Sequence, residues 1–309
     1  MDANEIPNGV WPAMITPLQA DKSIDWGRVD ALTDWYIDSG VAGLFAVGQS
    51  SEMFKLSDDE RLALARRVVD GAGGRVPVVA TGTFGGPIAQ QAEFIKYMAD
   101  TGVRAVTVIA SAMAAENEDD RVLKNRLGNL LDLTDDLPLA LYECPEPYHR
   151  FISPGVLAWA AQSGRFLLMK GTSRSLQDTY AKIEATAGTS LKFFNADATT
   201  LLPSLKAGAC GYCGIAANFY PDIVAWLCKQ FRNQPEIAEQ TQAVMGVADM
   251  IIHHKYPVCA KYFRQQAGFD MLTISRVTDS ELNDYEMRVL DYVSDRIDAL
   301  RQLHQANPL

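Results

Sequence analysis

Phe166-Leu167-Leu168-Met169-Lys170-Gly171-Thr172 is a run of four large apolar residues closed by a lysine and a glycine. A short apolar run ending in glycine reads as a strand buried on both faces, although periodicity by itself leaves a buried helix segment open. Strand length and Gly171 favour the strand, and Lys170 then stands at its carboxyl end. A lysine whose surroundings exclude water has its ammonium form disfavoured and its pKa lowered. The neutral amine can add to a carbonyl carbon and form a Schiff base. The plain alternative is a lysine that carries its ammonium out to solvent along an apolar stem.

Outward from this run, the chain repeats one unit: a short apolar strand, a turn and an amphipathic helix. Strands are predicted over 10–15, 43–47, 76–81, 105–109, 137–142, 166–170, 192–195 and 211–215. Ser57-Asp58-Asp59-Glu60 has the spacing of a capping box, and Ser153-Pro154 places proline at a first helical position. Pro221 opens the helix after the eighth strand, while Gly40, Gly71, Gly102 and Gly164 stand where helices should stop. Alternation of this kind implies parallel pairing, and eight units close into an α/β fold of the (β/α)8 TIM-barrel type. An open doubly wound sheet is disfavoured, because no strand leads into a glycine-rich dinucleotide loop.

The barrel is expected over residues 6–235. Residues 236–309 carry no strand signal and read as a C-terminal helical extension, with helices near 236–253, 257–266 and 279–305, the last opened by Thr278-Asp279-Ser280-Glu281. His253-His254 falls in this extension. Adjacent helical residues project about 100° apart, so a surface or packing role is expected there rather than a shared metal.

A net charge of -10 over 309 residues, with no basic stripe, argues against a nucleic-acid partner. No window of 18 apolar residues offers a membrane span. The acidic, polar start Met1-Asp2-Ala3-Asn4-Glu5 has no apolar signal segment, so a cytoplasmic location is expected. Cys144, Cys210, Cys213, Cys228 and Cys259 are odd in number and lie in apolar contexts, which reads as buried free thiols. Cys210-Gly211-Tyr212-Cys213 has the spacing of a metal or redox motif, but it lacks a second pair and a nearby histidine. It also falls in a predicted strand, where residues three apart face opposite sides. No metal and no cofactor are expected.

In a barrel, chemistry belongs at the carboxyl ends of the strands. Those ends carry Gly48-Gln49-Ser50-Ser51-Glu52, Thr81-Gly82-Thr83, Tyr142-Glu143-Cys144-Pro145, Lys170-Gly171-Thr172-Ser173, Asn195-Ala196-Asp197 and Gly214-Ile215. Together they offer a nucleophilic amine, a phenol for proton transfer, and a loop of amides and hydroxyls suited to a carboxylate.

In order and spacing these motifs, with Leu201-Leu202-Pro203-Ser204-Leu205-x-x-Gly208-Ala209-x-Gly211, resemble the dihydrodipicolinate synthase and N-acetylneuraminate lyase family of class I, Schiff-base-forming aldolases. The resemblance runs over about residues 6–305. It implies that Lys170 forms an imine with pyruvate or another small 2-oxo acid and that Tyr142 is the acid/base. It also implies that the amides of Gln49 and Ser50, with the Ser50 hydroxyl, hold the substrate carboxylate. Cys213 would place its backbone carbonyl beside Lys170, and Thr172 and Asp197 would meet the rest of the substrate. A homo-oligomer, commonly a tetramer, is implied as well.

Departures from the family pattern bear on the substrate. Pro147 stands where the synthase pattern has an arginine five residues after the tyrosine, with Arg150 three residues further on. Gln49 replaces the usual threonine or serine of the loop, and Ile109-Ala110-Ser111-Ala112-Met113 lacks the phenol that a neighbouring subunit would lend. Asp197-Ala198 and Ile215 depart from the sialic-acid pattern of Asp-Glu and serine. The expectation is therefore a lyase for another 2-oxo acid, such as a 2-keto-3-deoxy sugar acid, by aldol cleavage or by dehydration. A non-catalytic 2-oxo-acid-binding homologue is the alternative from another class.

Overall fold

The structure, a computed structural model, describes residues 6–307, and the expectation drawn from residues 1–5 lies outside them. Eight strands form one parallel sheet: β1 (Gly9–Val10), β2 (Leu44–Phe45), β3 (Val78–Thr81), β4 (Ala105–Ile109), β5 (Leu139–Tyr142), β6 (Phe166–Gly171), β7 (Lys192–Asn195) and β8 (Gly211–Tyr212). Their order is β1-β8-β7-β6-β5-β4-β3-β2. Past β1, Ala13 makes a parallel bridge to Phe45 of β2, which brings the two ends of the sheet together. The expected (β/α)8 TIM barrel with a C-terminal helical extension is the fold observed.

Several strands are shorter than their apolar runs, for a reason visible in the sequence. Proline has no N–H to give to a ladder. Pro12 follows β1, and Pro77 and Pro138 precede β3 and β5, so these three strands stop or start beside a proline. At the β1–β8 seam the backbones approach so closely that a Cβ on Gly211 would lie 1.8 Å from the Gly9 carbonyl oxygen. Only glycine fits there. Cys210 and Cys213 thus flank a two-residue strand instead of lying within it, and all five cysteines are free thiols, with Cys210 and Cys228 only partly buried.

Between the strands run α1 (Trp26–Asp38), α2 (Asp58–Ala72), α3 (Ile88–Ala99), α4 (Asp120–Leu133), α5 (Pro154–Gln162), α6 (Leu176–Thr186), α7 (Leu201–Ala207) and α8 (Pro221–Gln230). The Ser57/Glu60 capping box and the Ser153 cap form as read. Gly71 does not stop its helix. That role falls to Gly73, whose φ of 56° satisfies the left-handed cap that glycine takes without steric cost.

The extension contributes α9 (Pro235–Ile252), α10 (Val258–Gln266) and α11 (Asp284–Ala306). α9 lies against the turn Ala198–Thr200, α8 and α11. The last helix begins later than expected. Asn283 and Glu286 form its capping box, whereas the Thr278 hydroxyl oxygen accepts from the Ser280 amide in a local turn. The segment before α11 crosses over the loop that follows β2. There the buried Glu52 carboxylate accepts from Lys261 Nζ at 2.9 Å, from Ser275 Oγ at 2.9 Å, and from the amides of Arg276 and Val277. Glu52 itself holds φ of 63°, a conformation that costs a non-glycine residue energy and persists because these four donors fix it. Among the described residues, no helix is long and apolar enough to cross a membrane.

Removing the cation from this cluster should be costly. Lys261→Met is expected to lose about 3–5 kcal/mol of unfolding free energy in urea, because it leaves a buried carboxylate without its counter-charge. Adding Glu52→Gln should restore part of that loss. Equal losses in the single and double variants would show that the pair is not coupled.

Candidate active site

The ladder between β5 and β6 sets Tyr142 opposite Lys170, so the two side chains leave neighbouring strands at the same carboxyl-end level. Lys170 Nζ lies 4.3 Å from the centre of the Tyr142 ring and 5.2 Å from that of Phe45. Three lysines among the described residues are buried: Lys170, Lys182 and Lys261. Lys182 is paired with Glu143 and Asp178, and Lys261 with Glu52. Lys170 meets no carboxylate among the described residues. Cation–π contact contributes about 0.5–2 kcal/mol, while stripping water from an unpaired ammonium costs several. Burial therefore wins and holds the Lys170 amine below the ordinary lysine value, with the nearby Cys213 and Cys144 opposing weakly. The solvent-directed alternative is ruled out by an exposure of 4%.

Tyr142 is the complementary case. Its hydroxyl donates to Gln49 Oε1 at 3.4 Å, and its neighbours include the Cys144 thiol. Burial, followed by Cys144, pushes the phenol well above its ordinary value, so it stays protonated in the resting site. The residue between them in the chain supplies the frame. Glu143 is fully buried, accepts from the Ile152 amide at 2.8 Å, from the Thr172 amide at 3.1 Å and from Lys182, and its carbonyl accepts from Thr172 Oγ1 at 2.6 Å. One side chain thereby ties the ends of β5 and β6 to the loop before α5. Burial raises the Glu143 carboxyl against the pull of Lys182.

A cavity of about 630 Å³ opens at this end of the barrel. Lys170, Tyr142, Gln49, Ser50, Thr172 and Asp197 all line it, whereas Cys213 does not. Cys213 is close enough to feel the Lys170 charge, and burial raises its thiol to about 11. Two of the lining residues are already committed. Asp197 caps the turn Ala198–Thr200 by accepting from the Thr199 amide and the hydroxyls of Thr199 and Thr200. Thr172 receives His149 Nε2 at 2.6 Å while donating to Glu143. The motif Thr81-Gly82-Thr83 stays out of the cavity, and Thr83 Oγ1 instead accepts from the Ile109 amide.

Neither Pro147 nor Arg150 lines the cavity, and Arg150 donates to Asp120 at 3.0 Å. Residues that the strand-end rule does not survey do line it: Lys55, His149, Arg174, and from the extension His253, Tyr256 and Val277. The surface role expected for His253-His254 holds for both, which are exposed: His254 pairs with Glu286, and His253 also lines the cavity rim, between Arg174 at 3.5 Å and Asp249 at 3.2 Å. Burial first, then Lys182 and Arg174, hold His149 below its ordinary value. No group of His, Cys, Asp or Glu among the described residues is arranged to hold a metal ion.

Residues 6–286 match the dihydrodipicolinate synthetase family. The chain belongs to this family. It is a family of class I aldolases and lyases. The 4-hydroxy-tetrahydrodipicolinate synthase of Saccharophagus degradans is 27% identical over 72% of this chain and 74% of its own. That of Methanothrix thermoacetophila is 30% identical over 69% and 70%. Among solved structures, YagE, a prophage protein of the dihydrodipicolinic acid synthase family from E. coli K12 in complex with pyruvate, superposes with a TM-score of 0.85 at 22% identity, covering 94% of this chain and 98% of its own. A monomeric dihydrodipicolinate synthase variant gives 0.87 at 18% identity, covering 97% and 99%. At these identities the superpositions establish the shared barrel.

An unpaired buried amine weakens the fold that holds it. Lys170→Met should leave the protein folded and raise its melting temperature at pH 7, by about 2–4 °C for each kcal/mol recovered. The folded pKa lies below the unfolded value of 10.5, so the cost falls away as pH rises from the folded pKa towards 10.5. The advantage of the variant should shrink over that window in thermal melts. A lower melting temperature at pH 7 would mean that Lys170 has a stabilising partner.

Proposed function

We propose that this family member cleaves a 2-keto-3-deoxy sugar acid through an imine on Lys170. The observation that carries this reading is the buried lysine without a carboxylate, set beside a protonated phenol in one cavity. The amine attacks the C2 carbonyl, the Tyr142 phenol gives its proton to the carbinolamine hydroxyl as it leaves as water, and the substrate carboxylate rests on the loop at Gln49 and Ser50. The iminium then draws electrons as the C3–C4 bond breaks, while Tyr142 takes the proton of the C4 hydroxyl. A cation on Lys170 favours the phenolate that this transfer requires. The enamine is protonated at C3 and hydrolysed to release pyruvate. Dehydration would use the same imine and break a C–O bond instead.

Two features support a polyhydroxylated partner over an aldehyde carrying its own carboxylate near Pro147. Proline offers no donor, and Arg150 is engaged by Asp120. The rim mixes Lys55, His149, Arg174 and His253 with Glu146 and Asp197, a lining suited to a chain of hydroxyls. The curated relatives named above favour a second reading, condensation of pyruvate with aspartate semialdehyde, which belongs in the same assay. Because Ile109-Ala110-Ser111-Ala112-Met113 carries no phenol to lend to a neighbouring site, we infer that each site works without a neighbour even within a homotetramer.

Pyruvate with borohydride should modify Lys170 irreversibly, as read by mass spectrometry of a digest. A label on Lys182, Lys192 or Lys206, or no label, would sink the assignment. Tyr142→Phe should keep the adduct and lose turnover by about 10²–10⁴-fold. Within a panel of 2-keto-3-deoxy sugar acids at least one should be cleaved or dehydrated, and semialdehyde condensation should be negligible. The reverse pattern would establish the synthase reading.

A further inference from the structure

Lysine and arginine enter the cavity lining at Lys55, Lys170 and Arg174, and acids at Glu52, Glu146 and Asp197. Lys170 is assigned to the imine. Two of the acids are already engaged: Glu52 by Lys261, Ser275 and the amides of Arg276 and Val277, and Asp197 by Thr199 and Thr200. Neither Lys55 nor Arg174 reaches a carboxylate among the described residues. Exposure alone does not account for this, since Arg67 and Arg75 are also exposed and each holds an aspartate.

The neighbour of Arg174 on the rim is His253, whose Nε2 is claimed twice. It lies 3.5 Å from Arg174 Nη2 and 3.2 Å from Asp249 Oδ2. A guanidinium only donates and a carboxylate only accepts, so this nitrogen satisfies one and repels the other. The shorter contact ends on a carboxylate, and charge-assisted bonds are the stronger ones. Nε2 therefore gives its hydrogen to Asp249, and Arg174 meets an N–H. His149 offers no acceptor through its Nε2 either. Thr172 spends its single hydrogen on the Glu143 carbonyl at 2.6 Å, so the 2.6 Å contact between His149 Nε2 and Thr172 Oγ1 runs from the imidazole to the hydroxyl.

Arg174 thus stands at the mouth with its donors unclaimed, in the loop that follows β6 and its Lys170. A guanidinium fork matches two oxygens of a carboxylate or a phosphate, and Lys55 adds a second positive charge to the lining. At about 630 Å³ the cavity has room beyond a three-carbon acid. From this placement we propose that Arg174 is a specificity-determining residue that takes a second oxyanion at the far end of the substrate, so that the 2-keto-3-deoxy sugar acid ends in a carboxylate or a phosphate and not in a neutral hydroxymethyl group. The proposal rests on the Schiff-base reading above.

The test compares pyruvate, 2-keto-3-deoxygluconate, its 6-phosphate and 2-keto-3-deoxyglucarate. For each, the concentration that half-saturates borohydride modification is read as loss of the unmodified Lys170 peptide, which requires no turnover. The wild type should take the phosphate-ended or the carboxylate-ended acid at a concentration about tenfold below that of the gluconate, the lower end for a hydrogen bond to a charged group because the mouth is open to water. Whichever is preferred identifies the anion. Arg174→Met should abolish the gap, and Arg174→Lys should restore part of it, since an ammonium keeps the charge without the fork. Pyruvate has no far end, and its adduct reports that each variant keeps a folded site. A wild type that takes the three sugar acids alike, or a gap that survives Arg174→Met, overturns the proposal while leaving the Schiff base intact. A condensation of pyruvate with aspartate semialdehyde that is lost in Arg174→Met would keep the anion on Arg174 and overturn the sugar-acid reading instead. Absence of any Lys170 adduct in the wild type overturns both.

Discussion

An ammonium taken out of water with no carboxylate beside it is the constraint on which the site depends. Among the described residues three lysines are buried, and the problem is solved in two ways. Lys182 and Lys261 receive carboxylates and become struts, whereas Lys170 receives only the faces of Tyr142 and Phe45. The struts then make the exception possible. Glu143, held by Lys182, locks the strand ends that carry Tyr142 and Lys170, and Glu52, held by Lys261, locks the loop across the cavity. Charges that are paired supply the rigidity, and the one that is not leaves a buried amine whose pKa is lowered.

Much of this architecture is legible in the residues. The apolar run into Lys170 gives its strand, the repeated strand and helix units give the barrel, and the strand-end rule finds the loop at Gln49 and Ser50, Tyr142, Lys170, Thr172 and Asp197 in one cavity. The barrel is readable because its strands are buried on both faces, so each appears as an unbroken apolar segment closed by turn residues. Strand ends are less readable. Apolarity continues through Pro12, Pro77 and Pro138, whose carbonyls still accept from a neighbouring strand but which have no N–H to give in return.

The extension is where sequence reading runs out. Tyr256 reaches the cavity from a segment with no strand end to mark it, and His253 does so from the end of a helix whose other histidine faces away. Local spacing carries no signal for such contacts, because they depend on how a flanking helix packs against the barrel. Asp197 shows the opposite limit. Its position is legible, but its carboxylate is already spent on Thr199 and Thr200, a commitment that only the fold reveals.

The Glu52 cluster has a consequence for when the protein becomes active. Its carboxylate and the Lys261 amine are 209 residues apart in the chain, and the amides that complete it come later still. The loop that follows β2 leaves the ribosome early, yet its left-handed Glu52 has nothing to hold it until the segment beyond α10 has been made. Synthesis runs at about 5–20 residues per second, so a barrel with all eight strands made waits several seconds for the residues that give the loop after β2 a fixed shape. The fixed shape of this loop thus arrives with the last quarter of the polypeptide, after the residues that set the amine and the phenol side by side.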